Sequence, residues 1–384
     1  MTGHRRRLMR HRSPVALPLL ALLFIAACSS DAVGPTTPAF TLAHASDPTE
    51  ESAVLLWNRT ARNLVSRYQE VPPRAARGYA LLSVAQLKVL SALRDRRPGE
   101  VSRLERSAIA GASSTVLAAL FPAAADAMDK QVRSQLPTLD AIGEGNAGEA
   151  TRAYNLGREV GQRVMSYAAT DGADRVWDGA IPIGDGYWRS SVVPPVPPML
   201  PLWGQVRPWF LRAGEELRPQ APPVFGSAEF LHALADVRRI SDTRTDEQLR
   251  VARFWADGPG TATPPGHWNE IAATLIAEHP LTEFRAAWIL ALLNMVLMDA
   301  SISCWDAKYA FWLLRPSQAD PRITTPVGLP NFPSYTSGHA TFSGAAAEIL
   351  GGLFPAQRHS LTAMAEEAAR SRLYAGIHYR FDNE

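Results

Sequence analysis

Only two cysteines, Cys28 and Cys304, occur in 384 residues, so no disulfide framework can hold this chain together. Charge of one sign is equally scarce. Lys and Arg total 39 against 37 for Asp and Glu, a net charge of +2, which excludes the basic footprint of a nucleic-acid binder. Past the amino end no apolar run reads as a membrane span. Leu290 to Met298 is the strongest, but it contains Asn294 and is followed by Asp299, which marks a buried core helix. No segment alternates apolar and polar residues as a half-buried strand does, and no repeat of fixed period stands out. What is present is hydrophobic content, 46% against 20% charged, in a chain long enough to bury a large core.

The amino end is patterned as an address. Arg5, Arg6, Arg7, Arg10 and Arg12 precede an apolar stretch from Pro14 to Ala27, the layout of an export signal. It closes as Ile25-Ala26-Ala27-Cys28-Ser29, which resembles the lipobox of bacterial lipoproteins. That resemblance implies a signal peptide over 1–27, lipidation of Cys28 and a small, polar tether over 28–48. The protein is then expected outside the cytoplasm, on the periplasmic or cell-surface side, touching the membrane through a lipid anchor only.

From 49 to 171 apolar residues recur at helical spacing, as in Ala53, Leu56, Trp57, Leu64 and Tyr68. Pro72-Pro73, Pro122 and Pro137 punctuate these helices, and glycines 143, 145, 148 and 157 suggest another break. Ten of the thirty prolines fall between Pro182 and Pro223, interleaved with Trp188, Trp203 and Trp209, so 172–226 is expected to be a long loop pinned by aromatic rings. Helical periodicity resumes over 227–384. The expected fold is an all-α helical bundle.

Three segments carry chemistry. In KYAFWLLRP, Lys308 and Arg315 lie seven apart, which on one helix puts both cations on one face, and the apolar residues between them are too costly for a solvated helix. In PSYTSGH, Ser337 stands where an N-cap would, Gly338 admits close backbone approach, and free amides at a helix start bind anions beside His339. In RLYAGIHYRFD, His378 and Asp382 are four apart, so on a helix the carboxylate can orient the imidazole, and Gly376 suggests a bend bringing Arg372 near. A zinc site of His339, His378 and Asp382 is disfavoured by the three neighbouring cations.

In that order and spacing, the three segments resemble the signature of type 2 phosphatidic acid phosphatases and vanadium-dependent haloperoxidases. The resemblance implies that Lys308, Arg315, Ser337, the Gly338 amide and Arg372 bind a tetrahedral oxyanion. It implies that His378 is the axial group, a metal ligand if vanadate is the cofactor, and that His339 is the acid-base. Trp305 and Phe332 match positions that line the halide side in chloroperoxidase-like members, or else they simply pack in the core. The stretch 244–269 also resembles the haloperoxidase branch and makes Asp257 the candidate partner of an oxyanion arginine. Expected reactants are hydrogen peroxide and halide, or a phosphate monoester attacked by His378. A lipid-anchored protein that binds oxyanions without turnover is the reading of another class, and a homodimer stays open. Family members continue the last helix further, whereas this sequence stops at Glu384, so it is expected to be truncated, with a frayed end and a weak contact between His378 and Asp382.

Overall fold

Caps and prolines set the helix boundaries much as their chemistry dictates. The computed structural model describes residues 51–93, 101–136 and 146–384, so the signal peptide, the tether, Cys28, Pro137 and glycines 143 and 145 lie outside the described residues. Helix α1 (Ala53–Arg67) starts where Ser52 accepts the Leu55 amide, and α2 (Pro72–Leu93) starts on proline, which has no amide to leave unpaired. Next come α3 (Val101–Leu120), α4 (Ala125–Gln135) and α5 (Asn146–Ala168). After a long irregular stretch the chain resumes with α6 (Ala228–Asp242), α7 (Asp246–Phe254), α8 (Thr263–Ala277) and α9 (Glu283–Phe311). A short α10 (Pro316–Ala319) precedes α11 (Gly338–Leu353) and α12 (Arg358–Tyr374). Among the described residues all regular elements are helical, and the fold is all-α.

Gly148 and Gly157 do not break a helix; both lie within α5. A Cβ on Gly157 would sit 2.1 Å from the Ala108 carbonyl oxygen, and one on Gly111 would sit 2.1 Å from that of Tyr154. The glycines therefore allow α3 and α5 to touch backbone to backbone, a packing need that overrides the usual cost of glycine in a helix.

Helix α9 is the one described helix long and apolar enough to cross a membrane, yet 72% of its most apolar window is buried within the fold. It is a core helix, apolar around its whole circumference. Its buried Asn294 donates to Ser83 Oγ at 3.0 Å and to Asn269 Oδ1 at 2.9 Å, while Asn58 donates to Asn269 Oδ1 at 2.7 Å. This network ties α1, α2, α8 and α9 together and satisfies amides that would otherwise be costly to bury.

Between α5 and α6 only 3₁₀ turns form, at Trp203–Gln205 and Gly214–Leu217. Trp188 and Trp203 are buried, and Trp209 stacks on Tyr167 with centroids 5.2 Å apart. Asp299 on α9 accepts the amides of Trp209, Phe210 and Leu211 at 2.7 to 3.0 Å. A proline-rich chain unable to bond to itself is thus held by the core helix.

Candidate active site

Helix α9 delivers Trp305 and Lys308 in its last turns, but it ends before Arg315. Trp312 adopts the left-handed conformation, φ 52°, and its amide closes the helix on the Lys308 carbonyl. The chain then runs extended between Gly186–Trp188 and Ser334: the Trp188 amide donates to Trp312 O, Leu314 to Gly186 O, and Ser334 to Leu313 O. The two cations are therefore not on one helix face, as the sevenfold spacing suggested. They converge because the helix stops and the strand-like segment turns Arg315 back.

Lys308 is fully buried, and its ammonium donates to three carbonyls, Pro333 O at 3.1 Å, Ser334 O at 2.9 Å and Thr336 O. Three donors meet three acceptors, so the side chain holds the loop that presents Ser337, Gly338 and His339 while its charge stays in the site. Burial, with Arg315 nearby, lowers its pKa. Ser337 is the N-cap of α11, with its hydroxyl accepting the Ala340 amide at 3.4 Å. Gly338 and His339 open the helix, where amides have no intrahelical acceptor.

The third segment is not a helix either. Helix α12 ends at Tyr374, Gly376 turns the chain at φ +70°, and residues Arg380–Asp382 form a 3₁₀ turn. A Cβ on Gly376 would lie 2.6 Å from Thr324 O, so the turn requires glycine. His378 and Asp382 meet across this turn, Nδ1 to Oδ2 at 2.7 Å, and both are buried. Asp382 Oδ2 also accepts from Ser334 Oγ at 2.5 Å and from the Tyr379 amide at 3.0 Å, while the Asp382 carbonyl accepts the Ser337 amide at 2.7 Å. The contact expected to be weak in a fraying helix is instead enclosed and multiply bonded. A carboxylate accepts the Nδ1 proton, which leaves the lone pair on Nε2, and Arg315 Nη1 lies 3.0 Å from that atom.

A cavity of about 380 Å³ opens onto this arrangement, with Gly338, His339, Arg372 and His378 at its base and Trp305, Phe332 and Asp257 in its walls. Trp305 and Phe332 pack with centroids 5.0 Å apart, and the Phe332 ring lies 5.0 Å from both Lys308 Nζ and Arg315 Cζ. Arg372 donates to Ala252 O at 3.0 Å and to Ser371 Oγ at 2.8 Å. Asp257 makes its direct contact with His267, 3.2 Å to Nδ1, rather than with an arginine. Its charge still favours the ionised form of Arg372 from within the same site.

The electrostatics suit an anion. Burial holds Arg315 and Arg372 down to about 10, so both remain charged at neutral pH. Burial and these cations push His378 well below its ordinary range, and burial with Arg372 does the same to His339, so both imidazoles are neutral. Burial raises Asp382, against its hydrogen bonds and the cations. Three buried cations thus face Asp382 and, at the wall, Asp257, a surplus of positive charge that an oxyanion neutralises. Arg315 Nη2 and His339 Nε2 are buried without a hydrogen-bond partner. The Arg315 guanidinium and the α11 amides are donors that fit the oxygens of vanadate or phosphate, while the free His339 Nε2 is a proton acceptor beside them.

The model of the PAP2 superfamily matches residues 286–384, the stretch from Lys308 to Asp382 included. The segment that builds the site is similar to the PAP2 superfamily. A curated relative, the vanadium chloroperoxidase of Curvularia inaequalis, is 26% identical over 193 residues, a match covering 39% of this chain and only 32% of that protein, so the chain spans about a third of its length. The crystal structure of the first bacterial vanadium-dependent iodoperoxidase superposes with a TM-score of 0.75 at 23% identity, over 88% of this chain and 94% of that one. A holo-type bacterial vanadium-dependent chloroperoxidase gives 0.62 at 13% identity, over 82% and 89%. The matched segment therefore sits in a fold like that of these vanadium-dependent peroxidases.

Three residues around this site were given no role from the sequence. Ser334, which stands inside the motif, holds Asp382. Arg244 donates to Tyr374 O at 2.6 Å and to Thr324 O at 2.9 Å, clamping the turn that carries His378. His267 pairs with Asp257 and stacks on Trp255 at 4.5 Å. Arg244 and His267 lie within the 244–269 stretch, but what each of the three holds is visible only in the fold.

Proposed function

We propose that the chain is a vanadate-dependent haloperoxidase, oxidising halide with hydrogen peroxide. The observation that carries this reading is His378, whose Nε2 lone pair is fixed by Asp382 and placed among buried cations at the base of a cavity. Vanadate, when bound, supplies the Lewis-acid centre that activates peroxide toward halide. His378 would hold it through Nε2, with Arg315, Arg372 and the α11 amides on its oxygens and Lys308 adding charge from behind. His339, neutral and with Nε2 free, can take up and return the proton that peroxide gives and that formation of hypohalous acid consumes.

One observation also favours phosphatase chemistry. The same Nε2 is an oriented nucleophile, and a phosphate monoester in the anion site would pass its phosphoryl group to it. Purified protein incubated with orthovanadate, peroxide and iodide, bromide or chloride decides between the two, beside hydrolysis of p-nitrophenyl phosphate without vanadate. Vanadate-dependent halide oxidation is expected. Ester hydrolysis alone would install the second reading, and neither activity would leave the oxyanion-binding protein. We further infer export and lipid anchorage at Cys28, supported by the arginine-led apolar stretch before it. Labelling with a fatty-acid analogue that Cys28→Ser abolishes is the expected result.

A further inference from the structure

One carboxylate in the cavity wall is placed to compete with an oxyanion. Asp257 lines the same cavity as Arg372 and stands close enough to favour that guanidinium's charge. Bonded to Arg372 directly, it would take up donors that an oxyanion needs. It goes elsewhere. Its two oxygens lie 3.2 and 3.3 Å from His267 Nδ1, which must carry the proton because a carboxylate can only accept, while Arg372 bonds to Ala252 O and Ser371 Oγ. Glu70, the second carboxylate lining the cavity, is turned to the Val71 amide at 2.9 Å.

The imidazole that receives Asp257 is held rigidly. His267 stands in the second turn of α8, where its ring stacks on Trp255, centroids 4.5 Å and planes 18° apart, and meets Phe254 edge-on at 5.3 Å. Trp255 is itself buried, and its indole N–H donates at 2.9 Å to Glu367 on α12, the helix that carries Arg372. His267 is thereby fixed relative to Arg372. Between the two runs Trp255-Ala256-Asp257: the carbonyls of Trp255 and Ala256 face His339 and favour its protonated form, and Asp257 follows in the left-handed conformation, φ 43°. One ring thus grips this segment at both ends.

We propose that His267 is a positioning residue of the anion site. By holding the Asp257 carboxylate at Nδ1, it keeps that group from closing on Arg372, so the guanidinium retains both the nearby negative charge that supports its ionised form and the donors that an oxyanion requires. This role rests on the oxyanion reading of the site, which halide oxidation and phosphoryl transfer share. Without the His267 donor, Asp257 pairs with Arg372, and the oxyanion loses a charge-assisted contact, about tenfold in affinity.

Orthovanadate affinity, measured on the full chain by equilibrium dialysis, tests this through a double-mutant cycle. His267→Phe keeps a ring on Trp255 but has no donor, and it should bind vanadate about tenfold more weakly than wild type. In an Asp257→Asn background the same replacement should change affinity by less than about twofold, because a neutral amide does not compete for Arg372. His267→Gln, which retains a donor, should stay within about threefold of wild type. Crystal structures supply the second readout: Asp257 on Arg372 in anion-free His267→Phe, and Asp257 on His267 with Arg372 on the anion in wild type soaked with inorganic phosphate. An equal loss in both backgrounds, no loss in either, or a loss in His267→Gln as large as in His267→Phe overturns the proposal. So does Asp257 bonded to Arg372 in the phosphate-bound wild type, a result that decides the matter even where His267→Phe does not fold. Failure of the wild type to bind vanadate or phosphate overturns the oxyanion reading instead, and the anion-free structures of wild type and His267→Phe still show which partner the carboxylate takes.

Discussion

Arg372 and His378 at the base of the cavity, with the neighbouring Lys308 and Arg315, are each at most 2% exposed, whereas at the rim Val71, Leu329 and Phe332 keep part of their surface open. The base is fixed by polar bonds that leave little room: Lys308 on three carbonyls, Arg315 on Phe332 O and Ile377 O, and Asp382 on Ser334 and Tyr379. At the rim the side chains of Val71, Leu329 and Phe332 are apolar and only pack, while the backbone at Val71 and Phe332 carries the hydrogen bonds. Groups that are charged and dry need most of their donors matched, because desolvating a charge is costly, and Arg315 Nη2 is a donor left over at the base. Apolar walls carry no such demand.

Substitutions at the base should therefore cost most. His378→Ala is expected to abolish vanadate-dependent halide oxidation and any phosphatase activity, a loss of at least about a thousandfold measured as kcat/KM, since both need Nε2. Activity retained in this variant, with His339→Ala losing oxyanion binding instead, would mean the two histidines have exchanged roles. Lys308→Met leaves three carbonyls without their charged donor and should destabilise the fold by about 3 kcal/mol or more, read as a lowered Tm. A Tm equal to wild type would show that the loop before α11 does not depend on that ammonium. Arg315→Ala should weaken vanadate binding by roughly tenfold or more, about 1.4 kcal/mol, by equilibrium dialysis.

A pH series sharpens the contrast. His339 and His378 are depressed below 6.5, so as pH falls through that value the unfolded chain takes protons that the fold refuses, and stability drops by up to about 1.4 kcal/mol per pH unit for each. Asp382 opposes this, because its raised folded pKa lets the native state hold a proton the unfolded chain has lost. Two losses against one gain predict a falling Tm from about pH 6.5 to 5, and His339→Gln should flatten that slope in thermal melts. The smallest effect belongs to the rim. Leu329→Asp should change vanadate affinity by less than about twofold, and a larger change would mean that base and rim are not separable.

Local composition was enough for much of this. The helical periodicity, the N-cap at Ser337, the core character of the segment around Asn294, the proline-rich loop and the three motif segments were all legible, because caps, prolines and apolar spacing act within a few residues of themselves. Lys308, Arg315, His339, Arg372, His378 and Asp382 could be named as one group from spacing and resemblance. How they meet could not. The sevenfold interval from Lys308 to Arg315 looked like two helical turns, but Trp312 ends the helix and the hydrogen bonds of Leu313 and Leu314 to distant segments turn Arg315 inward. The interval from His378 to Asp382 looked like one helical turn, yet Gly376 and the Arg244 clamp make it a 3₁₀ turn sealed against Ser334 and Ser337. Gly157, which suggested a helix break, serves close packing between α3 and α5. Asp257 faces His267, a pairing set by how the loop between α7 and α8 folds back on α8. Sequence fixes which groups carry charge and where helices can begin, since those depend on the residue and its neighbours. Which groups share a desolvated cavity, and which atom of each is left free, depends on contacts between segments up to a hundred or more residues apart, and only the tertiary structure decides it.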